Sequence, residues 1–126
     1  MYSHKINIRF LDINAGNHVS SHKILDYIID GINVFFINKG FSLNDFLGTN
    51  FILSNSTLDF KKEIKIDSDI FFNILSIEFR KKSIIILIEI KGGDGDVYVK
   101  SEIKGVFLNK DGVISAIDDN MRDCLL

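Results

Sequence analysis

Residues 5–10 (Lys-Ile-Asn-Ile-Arg-Phe) alternate polar and apolar, the period of a strand with one buried face. The alternation then stops. Between positions 12 and 21 stand Asp12, Asn14, Gly16, Asn17, Ser20 and Ser21, residue types that favour turns and helix N-termini. A loop is expected here, with a helix starting near Ser20 or Ser21. From His22 to Asn38 the apolar residues Ile24, Leu25, Tyr27, Ile28, Ile29, Ile32, Val34, Phe35, Phe36 and Ile37 exceed what one narrow stripe can hold. Such a helix is expected to be buried on every side. Gly40 is placed to end it.

Ser42 to Leu47 predicts a further short helical turn, with Ser42 as its cap. The remainder reads as strands over 51–60, 70–80, 83–90 and 97–108, followed by a turn at 109–112 and a short helix in the tail from Ser115. The order of one strand, one long helix and four strands predicts an α+β fold. In it an antiparallel β-sheet wraps around one long central helix. The segment 83–90 carries apolar residues on both faces, which predicts that a second copy covers its outer face.

A chain of 126 residues suits a single domain, 1–126, and should bury roughly two thirds of its unfolded surface. There is no proline, while isoleucine reaches 22, the imprint of AT-rich coding. Basic and acidic residues are interspersed, with a formal charge of −2, and no basic stripe is present. That argues against a nucleic-acid partner. The lone Cys124 cannot form an internal disulfide. The longest apolar run, Ile84 to Ile88, is far short of the ~20 residues of a membrane span, and the first residues lack a signal-peptide pattern. A cytoplasmic protein with no membrane partner is expected.

The loop at 12–21 is the best place for chemistry, because a helix N-terminus offers free N–H groups and a dipole that favours negative charge. Such an end can polarise a carbonyl and hold the oxyanion formed when it is attacked. His18 and His22 are four apart, a spacing that can hold a metal, but no third ligand is evident and no metal is expected. Asp26 and Asp30 lie one helical turn apart and are expected on an exposed edge of the helix or at a subunit contact. The stretch 92–96 lacks the ligand spacing of a calcium loop and reads as a hairpin turn.

Arg9-Phe10-Leu11-Asp12-Ile13-Asn14-Ala15-Gly16-Asn17-His18-Val19-Ser20-Ser21, followed by Leu25, Asp26 and Tyr27, resembles the hotdog-fold acyl-CoA thioesterases of the 4-hydroxybenzoyl-CoA thioesterase type. Those proteins carry an Asp-x-Asp-x-x-Gly-His-Val-Asn-Asn-like stretch here. Leu58-Asp59-Phe60-Lys61-Lys62-Glu63 resembles their aromatic-basic-x-Glu segment, and 97–102 their last long strand. The resemblance implies hydrolysis of an acyl-CoA or acyl carrier protein thioester, with coenzyme A as part of the substrate and no separate cofactor. It also implies a homodimer or homotetramer with the site between subunits.

The family's second Asp, base or nucleophile toward the thioester, falls at Asn14, and its glycine at Asn17. A neutral amide takes no proton as a carboxylate does, but can hold a water or a carbonyl. The resemblance thus implies Asn14, His18 and Asp12 as catalytic or loop-organising residues, and Gly16, Asn17, Val19, Ser20 and Ser21 as the backbone around the carbonyl. Ser20 and Ser21 replace an Asn pair and are expected to cap the helix. Lys61, Lys62, Arg80, Lys81 and Lys82 are candidates for the coenzyme A phosphates. Two other readings stay open. One is a noncatalytic acyl-thioester binding module that has lost its acid, the other a dehydratase-type enzyme pairing His18 with a helix carboxylate.

Overall fold

The computed structural model describes all 126 residues. Five strands form one antiparallel sheet: β1 (Tyr2–Lys5), β2 (Asn50–Phe60), β3 (Ile70–Phe79), β4 (Ile84–Gly92) and β5 (Val97–Leu108). Their spatial order is β1-β3-β4-β5-β2, so β1 and β2 are the edges. The helix α1 (Ser21–Asn38) packs on one face of the sheet through Ile24, Ile28, Gly31, Ile32, Phe35 and Phe36. A short helix α2 (Asp119–Leu125), capped by Asp118, adds Met121 and Leu125 to the same core.

Inner-facing residues of the central strands, Phe72, Ile74, Ile84, Ile86, Ile88, Ile90, Val99, Ile103 and Phe107, meet that helix face. In β3 the apolar phase shifts between Ile74 and Ile77. A bulge at this point in the β3–β4 register absorbs one residue and keeps Ile77 and Phe79 facing inward. Gly31 lets the helix approach. A Cβ there would lie 2.6 Å from the Phe72 ring.

Four expectations need correction. The first strand is Tyr2–Lys5 rather than 5–10, because its partner β3 begins at Ile70, whose carbonyl takes the Ile6 N–H (3.0 Å) and leaves nothing beyond Ile6 to pair with. Residues 10–12 form a 3₁₀ turn instead, with Phe10 and Leu11 each 80% exposed. The helix is not buried all round, since a single sheet covers one face and leaves Asp26, Asp30 and Ile37 exposed. Ser42 to Leu47 makes two successive tight turns, not a helical one. Positive φ at Leu47 and Gly48 is incompatible with a helix. In β4, Ile85 is buried within the chain and only Leu87, 41% exposed, leaves the outer face open.

Candidate active site

Residues 13–19 form a tight loop closed by the bridge between Ile13 and Val19. Asn14 is its organiser. Its N–H donates to the His18 carbonyl (2.9 Å), its carbonyl accepts from Asn17 N–H (3.0 Å), and its Oδ1 accepts from Gly16 N–H (2.9 Å) and more weakly from His18 N–H (3.4 Å). Asn17 takes φ of 65°, a left-handed turn that Asn tolerates among non-glycine residues. A side chain on Gly16 would meet His18 Nε2 at 3.0 Å and Asn14 Oδ1 at 3.2 Å. Its absence lets the imidazole and the amide converge.

Asp12 anchors the loop from below. Its side chain is fully buried, the Tyr27 hydroxyl donates to it at 2.6 Å, and Arg9 approaches with its guanidinium (3.1 Å) and backbone N–H (3.3 Å). Burial pushes this carboxyl pKa up, but the Tyr27 and Arg9 hydrogen bonds outweigh it and hold the pKa below its ordinary value. Burial, and then the bond to Asp12, push the Tyr27 hydroxyl far above its ordinary range. Asp12 is therefore a fixed anion under the loop, and its backbone carbonyl accepts from Ser20 N–H (3.1 Å), setting the angle at which α1 begins. The role of Arg9 and Tyr27 was hidden in the sequence because a salt bridge three apart and a contact 15 residues away leave no periodic mark.

The backbone donors separate sharply. Gly16 and Asn17 donate to Asn14, Val19 to Ile64 (2.7 Å) and Ser20 to Asp12, so four of the five amides expected around a carbonyl already hold the loop together. Ser20 occupies the cap position, yet its hydroxyl makes no capping hydrogen bond. Lys23 and Ile24 N–H both point to the Ser20 carbonyl. The N–H groups of Ser21 and His22 have no acceptor in the chain. They are the free donors at the end of an 18-residue helix. His18 precedes that helix, so it and His22 do not share a helical face, and no group of three potential metal ligands forms.

A cleft of about 250 Å³ lies beside these donors, lined by His18, Val19, Ser21 and Ile24 on one side and Phe60 to Ile64 on the other. Lys61 and Lys62 stand at its rim, where Lys61 pairs with Asp59 (2.8 Å) and Lys62 with Asp96 (2.9 Å). The hydrogen bond to Asp96 raises the Lys62 pKa. Arg80, Lys81 and Lys82 form the β3–β4 turn, at the opposite end of the sheet, so one chain does not bring them to the cleft. A larger cleft of about 530 Å³ opens between residues 4–9 and the outer side of α1; within it Arg9 pairs with Asp12 and Lys23 with Asp26, Lys5 pairs with Asp69 outside it, and Asp30 makes no ion pair. The smaller cleft is the one that joins free helix donors to an imidazole.

The model of the thioesterase-like superfamily matches residues 8–124. The chain belongs to that superfamily. No curated protein matches it by sequence. Among solved structures it is similar to a gentisyl-coenzyme A thioesterase, with 20% identity, a TM-score of 0.86, and coverage of 99% of this chain and 100% of the other. It is similar to a 1,4-dihydroxy-2-naphthoyl-CoA thioesterase from Synechocystis at 10% identity and a TM-score of 0.86, covering 98% and 94%. An Asp-to-Asn mutant of 4-hydroxybenzoyl-CoA thioesterase, complexed with 4-hydroxybenzoyl-CoA, matches at 16% identity and a TM-score of 0.86, covering 99% and 98%. The architecture of this thioesterase-superfamily chain is the hotdog fold, a five-stranded antiparallel sheet packed on one long helix.

Proposed function

We propose that this protein hydrolyses an acyl-CoA thioester in the cleft between the N-terminus of α1 and residues 60–64. The observation that carries the reading is the unpartnered N–H of Ser21, which lines the cleft beside His18, with the unpartnered N–H of His22 next along the helix. They would receive the thioester oxygen, which becomes an oxyanion when water adds to the carbonyl. His18 Nδ1 lies 3.3 Å from the Val19 carbonyl, a contact that suits a proton on Nδ1 and leaves Nε2 as the basic nitrogen. Nε2 would take the proton of the attacking water and return it to the departing thiolate.

Asn14 acts differently from a carboxylate in this scheme. Its Oδ1 already accepts from the loop, so its free group is the Nδ2 donor, which would hold the water or the carbonyl in line. Lys61 and Lys62 sit where coenzyme A phosphates would leave the cleft. A second copy of the chain would complete the site, since the inner face of the edge strand β2 is only partly covered at Leu53, Ser56 and Leu58, and Phe60 is 47% exposed.

Thiol release from a panel of short, long and aromatic acyl-CoAs tests this. The wild-type protein should turn over at least one of them. Asn14→Ala should lower kcat by about 10–10²-fold, and His18→Ala by about 10²–10⁴-fold. Binding without turnover in the wild type, or activity gained only by Asn14→Asp, would sink the hydrolase reading and leave a binding module.

A further inference from the structure

The cleft beside α1 carries a charge that the hydrolysis does not use. Its wall is apolar at Val19, Ile24 and Ile64, all buried, with the exposed Phe60 ring at its edge. Two of its three charged side chains are already paired. Lys61 is held by Asp59 and Lys62 by Asp96, and neither acid lines the cleft. Glu63 is the one carboxylate of the lining. It makes no ion pair, although two ammonium groups precede it directly in the chain.

Backbone hydrogen bonds fix where that carboxylate stands. Lys61 and Lys62 N–H both donate to the Tyr98 carbonyl (2.8 and 3.2 Å), and the Ile64 carbonyl accepts from Val19 N–H (2.7 Å). The segment is thus pinned on both sides of Glu63, and the second pin is the loop that carries His18 and leads into Ser21. Glu63 is one residue from Ile64 and Ser21 is two from Val19, so the carboxylate and the free Ser21 N–H face the same cleft of about 250 Å³ from its two sides. A thioester oxygen on the Ser21 N–H leaves a short acyl chain within reach of Glu63. A carboxylate in open water gains little from an ion pair. An acyl chain that fills the cleft displaces that water, and against apolar walls a charge-assisted hydrogen bond counts for more.

We propose that Glu63 is a specificity-determining residue that selects a short acyl group carrying an ammonium, so that the substrate class is an aminoacyl thioester. The proposal rests on the thioesterase reading for the placement of the carbonyl. No bond changes at Glu63. Its carboxylate accepts from the ammonium, whereas an apolar acyl end in the same place strips water from the carboxylate and returns nothing.

Matched substrates separate the outcomes. β-Alanyl-CoA and butyryl-CoA have acyl groups of the same length and differ by an ammonium in place of the terminal methyl. Their kcat/KM and Kd are measured on the wild-type protein and on Glu63→Gln, with thermal unfolding of each. The wild type should favour β-alanyl-CoA at least about fivefold. Glu63→Gln should bring that ratio to one or below, because the apolar walls then favour the methyl, and should leave Tm unchanged, because the carboxylate holds no part of the fold. Equal turnover of the two by the wild type, a preference for butyryl-CoA, or a preference for β-alanyl-CoA that survives in Glu63→Gln would overturn the specificity role and leave the hydrolase reading intact. If neither thioester is hydrolysed, the ratio of Kd values decides. A fivefold preference in binding that Glu63→Gln abolishes upholds the role of Glu63 while the hydrolase reading fails for this pair, and equal or absent binding overturns the role of Glu63.

Discussion

Tyr27 and Asp12 show how much a single contact can settle. The 2.6 Å bond between them satisfies a carboxylate with no exposed surface, and Arg9 reaches it from a more exposed position. Tyr27→Phe should cost about 1–3 kcal/mol in chemical denaturation, because it leaves a buried anion short of a donor. The Asp12 pKa is depressed in the folded chain, so its contribution is present above the ordinary value of 3.8 and is lost as pH falls through the lower folded value. His4 works at milder pH. Burial lowers its pKa below 6.5 against the opposing pull of Asp30, so the unfolded chain takes the proton first. Stability should decline as pH drops below 6.5 and level off past the folded value, and His4→Gln should flatten that part of the profile. Asn17 is the residue whose role the sequence states most directly, since its positive φ follows from the preference of Asn for left-handed turns.

At the level of elements, α1 and β3 meet through Gly31 and Phe72. Helix propensity alone would make Gly31→Ala stabilising by about 1 kcal/mol. The new Cβ would lie 2.6 Å from a ring already packed between Tyr2, His4 and the core, so the substitution should instead cost about 1–3 kcal/mol. Urea unfolding reads the sign directly. The strands were legible to within a few residues because alternation of apolar side chains is a local property of a half-buried strand. Where β1 stops was not legible, because it depends on where β3, some 65 residues later, offers a partner. The bulge in β3 hid its phase in the same way, since a strand's inward phase is fixed by the strand beside it.

For the whole molecule, the partly covered inner strip of β2 is the feature that asks for a second copy. Its sheet order leaves β2 as a long unpaired edge of 11 residues, a surface proteins rarely leave free. Sedimentation at micromolar concentration should give a mass of two or more chains, and a stable monomer would count against a site shared between subunits. No helix is long and apolar enough to cross a membrane. Local pattern determined the succession of elements, the loop at 12–21 and the helix that follows, because periodicity and turn preference act over a few residues. Only the tertiary structure decided which donors at that helix remain free, that Asp12 is held by Tyr27, that Arg80 to Lys82 lie apart from Lys61 and Lys62, and that Glu63 lines the cleft while its neighbouring lysines pair elsewhere. Hydrogen bonds and burial are settled by residues far apart in the chain, and no local pattern of side chains encodes which of them will meet.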